Sequence, residues 1–362
     1  MSTDIFKSFQ CGDLTLANRM VMAPMTRNRA KENGLVSGMM VTHYQQRASA
    51  GLIIAESAPV SRQGVGYPNT PGLFSEDQAD SWKPLIEAVH VEGGHIFAQL
   101  QHCGRISHSS MQTDNALPVA PSALRPKGQA VTYSGMVDFE TPRALDELEV
   151  PLIVAQFQRG AEMAKRAGFD GIEVHGANGY IIDQFLRDGS NQRSDIYGGS
   201  VANRMRLLNE TLDAVCSVWP ADRVGVRLTP ENSFNSMEDS NPQGHFGYFI
   251  EQLSARNLAY VHVLEGDMMS KENLVDYCAL RAKFSGTYIA NNGYNLAKAQ
   301  ATIANGDASL VAFGIPFLAN PDLVYRFREN LPLNEADVTT FYGGNELGYT
   351  DYAFYHSEEV NV

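Results

Sequence analysis

A barrel of eight parallel strands, each followed by a helix, is the fold this sequence predicts, on three observations. Eight short apolar runs recur along the chain, amphipathic stretches lie between most of them, and no glycine fingerprint follows the first run. Near-continuous apolar strands separated by helical patterns indicate a parallel sheet covered on both faces. Eight such units close into an α/β structure of the (β/α)8 TIM-barrel type. The rival, a doubly wound sheet, needs a glycine-rich turn after its first strand. Here Met22-Ala23-Pro24-Met25-Thr26-Arg27 contains no glycine. At 362 residues the chain has length for about two average domains, but α/β barrels often run this long as one. No repeat, low-complexity tract or linker divides it, so residues 1–362 read as a single domain.

The strands fall, in order, at residues 20–24 (MVMAP), 52–56 (LIIAE), 95–100 (HIFAQL), 171–175 (GIEVH), 224–228 (VGVRL), 260–264 (YVHVL), 288–291 (YIAN) and 310–313 (LVAF). Each is a short apolar run of strand length. Helical periodicity marks 82–92, 154–167, 203–218, 246–256, 273–284, 296–304 and 321–329. Residues 103–149 break the alternation, with six prolines or glycines between Gly104 and Gly135. An excursion this long is usually functional or disordered. It follows the third strand, on the face where loops build sites, and reads as a lid or wall of a pocket.

Charge and cysteine use exclude several classes. The net charge is 28 − 41 = −13, and a nucleic-acid-binding surface needs a clustered basic face instead. No apolar run approaches the roughly 20 residues that cross a bilayer, and MSTDIFKSFQCGD lacks a basic-then-apolar leader. Cys11, Cys103, Cys216 and Cys278 are scattered, with no CxxC spacing. They read as reduced thiols, which places the chain in the cytoplasm as an expectation. They give no metal site, because zinc needs three or four converging ligands.

The most informative stretch is HGANGYIIDQFLRDGSNQRSDIYGGSVANR, residues 175–204. It begins where an apolar strand ends, and parallel α/β folds bind ligands outside the carboxyl ends of their strands. Donors at His175 and Asn178, then a phenol at Tyr180, suit a site that grips an oxygen and delivers a proton. Taken alone, the pattern also fits a loop histidine and a turn asparagine.

With its neighbours, the chain resembles the Old Yellow Enzyme family of FMN-dependent ene-reductases, and within it the N-ethylmaleimide and pentaerythritol tetranitrate reductase branch. The resemblance runs from about Phe6 to about Tyr352, through FKSFQCGDLTLANRMVMAPMTR, AGLIIAES, GYPNTPGLF, FAQLQHCGRISH, HGANGYIIDQFL, VGVRLTP and FYGGNELGYTDY. It implies a barrel closed at its bottom by an N-terminal hairpin at 6–17, within a cap of residues 1–18. It also implies bound, non-covalent FMN and a ping-pong cycle. NADPH or NADH reduces the flavin and leaves, and the activated C=C bond of an α,β-unsaturated carbonyl is then reduced, with nitro compounds a second substrate class. The protein would act on small molecules, as a monomer or homodimer.

The resemblance also assigns residues. Thr26 would sit at the flavin C4 carbonyl, where a donor tunes the redox potential. Gln99 can donate to and accept from the pyrimidine edge. Arg227, among apolar strand neighbours, would meet the N1/O2 region, which turns negative on reduction. His175 and Asn178 would polarise the substrate oxygen, and Tyr180, with an ordinary pKa near 10, would protonate the α-carbon. Backbone at Asn292, Gly293, Gly314 and Ile315 would hold the phosphate. Pro24, Met25 and Ser57 would line the flavin, and Tyr67, Asn235 and Tyr342 the substrate pocket. Two positions depart from the pattern. Ile315 stands where the family usually has a basic residue, so it lacks the charge-assisted phosphate bond and predicts weaker FMN retention. Gln101 stands where this branch often has tryptophan, which predicts a wider pocket wall. Two other functions stay in view: a flavin-carrying electron buffer with weak turnover, and a related dienoyl-thioester reductase. The second requires a cysteine cluster for an iron–sulfur centre, which this chain does not have.

Overall fold

The computed structural model describes residues 4–270 and 274–355. Eight parallel strands close a barrel: β3 (Met20–Met22), β4 (Leu52–Pro59), β5 (Ile96–Gln101), β10 (Gly171–Gly176), β11 (Val224–Leu228), β12 (Tyr260–Leu264), β13 (Tyr288–Asn291) and β14 (Leu310–Phe313), with β14 pairing back onto β3. Six of the eight begin and end within one residue of the expected bounds. The first strand stops two residues early, at Met22, before Pro24, which has no N–H for a ladder. The second runs on to Pro59 across a register shift between Ile54 and Ser57.

Alternation along the strands separates two cores. Val21, Leu52, Ile54, Phe97, Tyr260, Ile289 and Leu310 form an interior cluster. Their sequence neighbours, such as Met22, Ile53, Ile96 and Val261, belong to the larger cluster under the helices. Glycines fit the interior layer to its large rings. A Cβ at Gly171 would lie 2.4 Å from the Phe97 ring, and one at Gly225 would lie 2.2 Å from Tyr260. The lower end is closed by a hairpin of β1 (Phe9–Cys11) and β2 (Leu14–Leu16), whose Cys11, Leu14 and Leu16 join the interior cluster.

Around the barrel lie α1 (Gly38–Gln45), α2 (Glu76–Val91), α3 (Val150–Ala167), α4 (Ile181–Leu186), α5 (Val201–Arg204), α6 (Arg206–Cys216), α7 (Pro242–Ser254), α8 (Tyr277–Arg281), α9 (Leu296–Asn305), α10 (Ile315–Ala319) and α11 (Leu323–Arg328). Side-chain caps, which apolar period does not mark, set the starts of α1, α2, α5, α7, α8 and α9. Ser75 and Gln78 form a capping box that begins α2 six residues before the expected start. Asn241 caps α7, and Asp276 starts α8 late, so the helix expected at 273–284 shrinks to five residues; Asn273 lies outside the described residues. The helix expected at 203–218 divides at Met205, where Arg204 turns inward to the carbonyls of Leu186 and Gly199.

The 103–149 excursion is ordered. It contains β6 (Val119–Ala120) paired with β9 (Arg143–Ala144), and a hairpin of β7 (Gln129–Thr132) and β8 (Gly135–Asp138). Its Ala130 and Phe139 pack with Cys103, Ile106 and Tyr180, so it forms a wall over the carboxyl ends of the strands.

Candidate active site

Where the lower interior is apolar, the upper interior is polar. Alternation carries Gln99, Glu173, His175, Arg227, His262 and Asn291 inward, and all six are buried. Glu173 lies at their centre. One carboxylate oxygen accepts from Gln99 Nε2 at 2.7 Å, and the other is 2.9 Å from His262 Nδ1. Arg227 donates to Asn291 Oδ1 at 3.1 Å, and Asn291 donates to Ala312 O at 2.9 Å. Among the described residues, several buried atoms have no partner: Gln99 Oε1, Arg227 Nε, His175 Nδ1, His262 Nε2 and Asn178 Oδ1. Buried polar groups are normally satisfied, so this concentration marks a place where a polar ligand binds.

At the end of β10 the chain turns through Asn178 (φ 58°) and Gly179 (φ 77°). The left-handed turn is pinned by Thr229 Oγ1, which accepts from Asn178 N at 2.9 Å, and by Asp183, which accepts from Gly179 N at 2.8 Å. A Cβ at Gly179 would lie 2.7 Å from the Asn235 side chain. Asn235 in turn donates to Asn178 O at 2.8 Å. The turn brings Tyr180 back to His175, with ring centroids 5.1 Å apart, and the Tyr180 hydroxyl lies 3.1 Å from that of Tyr67. Burial first, then the charges of Arg227 and His262, hold His175 well below the ordinary imidazole range. It is therefore neutral and donates from one nitrogen only.

Two expectations need correction. Tyr180 does not keep an ordinary phenol pKa: burial, then the neighbouring Tyr67 and Cys103, push it well above 10. Gln99 cannot offer its edge freely, because Nε2 is committed to Glu173; Oε1 is the unpartnered atom.

The remaining expected residues fall as follows. Pro24 is buried and Met25 and Thr26 are half-buried after β3; Ser57 pairs with Gln99 across β4 and β5. Asn292 (φ 89°) and Gly293 (φ 67°) follow β13, with open space beside Gly293. Gly314 and Ile315 follow β14, and Ile315 is 54% exposed. Tyr67 and Asn235 line a cavity of about 580 Å³ between the β7–β8 hairpin and residues 233–238, with Met136, Phe139, Phe234 and Met269 as its apolar lining. Arg105 joins the two walls, donating to Leu124 O at 3.2 Å and Ser236 O at 3.0 Å. Gln101 is buried, its Nε2 3.0 Å from the Sγ of Cys103, which packs with Tyr180 and Tyr67. Burial pushes that thiol up to about 12. Tyr342 is largely exposed, yet near enough to act electrostatically on Tyr67 and Tyr180.

Sequence reasoning missed Glu173 and His262. Their signal was present: each is a polar residue at an inward position of an otherwise apolar strand (GIEVH, YVHVL).

Comparison with known proteins agrees with this fold. Residues 4–334 match the NADH:flavin oxidoreductase / NADH oxidase family. The chain is 40% identical over 355 residues to a probable flavin mononucleotide-dependent alkene reductase of Leishmania infantum, covering 97% of each. It is 40% identical over 356 residues to 12-oxophytodienoate reductase 1 of Oryza sativa subsp. japonica, covering 96% of this chain and 92% of the relative. Among solved structures, morphinone reductase in complex with tetrahydroNAD matches with a TM-score of 0.93 and 43% identity, over 99% of this chain and 100% of that one. The old yellow enzyme homologue from Zymomonas mobilis matches with a TM-score of 0.93 and 38% identity, over 97% and 99%.

Proposed function

Since the chain belongs to the Old Yellow Enzyme family of FMN-dependent oxidoreductases, we propose that it reduces the activated C=C bond of α,β-unsaturated carbonyl compounds with NADPH or NADH. The observation that carries this reading is the placement of His175, Asn178 and Tyr180 beside the unpartnered Gln99 and Arg227 atoms.

The residues suit FMN. Gln99 Oε1, an unfilled acceptor, fits the imide N–H of the isoalloxazine, and the unfilled Arg227 Nε fits its adjacent carbonyl. The Thr26 hydroxyl is half-buried and suits a flavin carbonyl. Backbone at Pro24, Met25 and Ser57 would flank the ring, and backbone at Asn292, Gly293, Gly314 and Ile315 would meet the phosphate. When bound, FMN supplies the hydride chemistry, taking hydride from the nicotinamide and giving it to the alkene.

The protein's own residues do the rest. His175 and Asn178 hold the substrate oxygen, so negative charge developing there meets fixed donors. A neutral imidazole keeps one N–H for this purpose. Tyr180 holds its proton against loss to solvent, because its pKa is raised, and gives it to the α-carbon. Tyr67 fixes the phenol's direction through the 3.1 Å hydroxyl contact. The apolar cavity lining favours a hydrophobic enone, and nitroalkenes form a second class. The acidic net charge supports small-molecule partners over nucleic acid, and four cysteines without a disulfide support a cytoplasmic setting; the proposed enzyme is a monomer or homodimer.

The test is an absorption spectrum of purified protein, before and after anaerobic NADPH or NADH and then 2-cyclohexenone. Flavin bands should bleach and return. A colourless protein that takes up no added FMN would sink the flavoenzyme reading, and bleaching without recovery would overturn the substrate class.

A further inference from the structure

Two loops and a helix start meet beside the substrate cavity. Asp188 follows α4, Asp239 closes the loop after β11, and His245 lies in the first turns of α7. One ligand atom from each lies within 4.8 Å of the others. His245 Nδ1 is 2.7 Å from Asp239 Oδ1, which also accepts from Asn241 N at 2.9 Å. Asp188 accepts from Ser240 N at 2.9 Å and from the Ser240 hydroxyl. These bonds alone would describe a small polar cluster.

A separate observation points to a ligand. Among the described residues, Asp239 Oδ2 is buried without a hydrogen-bond partner, and the Asp239 side chain is only 1% exposed. A buried carboxylate oxygen left bare is costly. A second carboxylate nearby adds repulsion, offset in part by His245 and, at Asp188, by the Arg204 charge. Buried charges are stable when paired or when they coordinate a metal.

We infer that Asp188, Asp239 and His245 form a binding site for a divalent cation. Two carboxylates and an imidazole suit manganese, iron, cobalt, nickel or zinc better than the all-oxygen preferences of calcium and magnesium. His245 is partly exposed, at 18%, which leaves a route in and room for water ligands. The Arg204 charge also reaches Asp188, and a doubly charged ion competes with it. The site is structural. Met237 and Glu238, just before Asp239, line the substrate cavity, and Asn235 holds Asn178 O. A cation tying this loop to Asp188 and α7 would stiffen that wall.

The experiment uses FMN-loaded enzyme, dialysed against EDTA and then metal-free buffer. It is titrated with MnCl2 and separately with ZnCl2, by calorimetry and thermal unfolding. The expected result for at least one ion is one equivalent bound and a raised Tm. Asp239→Asn and His245→Gln should each weaken that binding at least about tenfold. Their metal-free FMN content should match wild type. Should one variant fail to fold, the other decides. No saturable binding to wild type overturns the site. So does binding that the folded variants retain at full strength, as ions on the exposed Cys278 would give.

Discussion

At the residue scale, function concentrates in one turn. Asn178 and Gly179 adopt left-handed backbone so that His175, from the strand, and Tyr180, from the start of α4, face one another. Tyr180→Phe keeps the ring's packing and removes only the proton. The oxidative half-reaction with 2-cyclohexenone should slow by about 10²–10⁴-fold, while flavin reduction by the nicotinamide stays near wild type. Stopped-flow absorbance separates the two, and equal slowing of both would count against Tyr180 as proton donor. This turn was legible in the sequence because its parts are contiguous. The Glu173 bridge was not, because Gln99 and His262 reach it across 74 and 89 positions of chain. No local pattern encodes a contact that exists only once the barrel closes. The raised Tyr180 pKa was invisible for the same reason, since burial is a property of the packed wall.

At the scale of elements, the loop after β3 and the segment near 338–349 form one unit. Arg27 donates to Phe341 O at 2.8 Å and Gly348 O at 2.8 Å; Arg29 donates to Asn345 O at 2.9 Å, Thr340 O at 3.0 Å and Leu347 O at 3.2 Å. The clamp fixes the segment that carries Tyr342 against the loop that carries Thr26. Arg29→Ala leaves those carbonyls to water, so amides near 340–349 should exchange faster by mass spectrometry, with exchange in the barrel strands unchanged. Uniformly faster exchange would mean that global stability, not the clamp, was lost. Beneath the clamp lies Glu56, which accepts from Arg27 N at 3.3 Å and Tyr44 OH at 3.4 Å. Burial pushes Glu56 up to about 7 from 4.5. The folded state thus holds this proton more tightly than the unfolded chain. The resulting stability is present below about pH 4.5 and lost as pH rises through about 7, by up to about 3 kcal/mol. Glu56→Gln should flatten the Tm profile between pH 5 and 7.5; an unchanged slope would assign it to other groups. Helix caps and hairpins at this scale were only partly readable, because a cap shifts a boundary that apolar period alone cannot locate.

For the whole molecule, closure matters more than any single element. The barrel was legible because eight apolar runs and the helices between them leave few other ways to bury both faces of a parallel sheet. Closure then gathers Thr26, Ser57, Gln99, His175, Arg227, Asn292 and Gly314 from separate units onto one rim. A ligand held by that rim binds only the closed barrel, so its free energy becomes folding free energy. Free FMN about a hundredfold above its Kd should add about 2.7 kcal/mol, raising the Tm of the flavin-free protein by about 3–4 °C for a chain this long. On the proposed placement of the FMN phosphate, Ile315 is the weak point, an exposed apolar side chain where a cation would make a stronger contact. An arginine there remains solvent-screened, so Ile315→Arg should tighten FMN binding by about tenfold. At fixed excess FMN that adds about 1.4 kcal/mol and about 2 °C more. The measurement is a set of four melting curves, wild type and Ile315→Arg, each with and without FMN. A shift confined to the FMN-loaded variant supports a phosphate contact. An equal shift in both flavin-free and loaded protein would make Ile315 a matter of surface stability, and FMN retention would have to be explained by the backbone of the β13 and β14 loops alone.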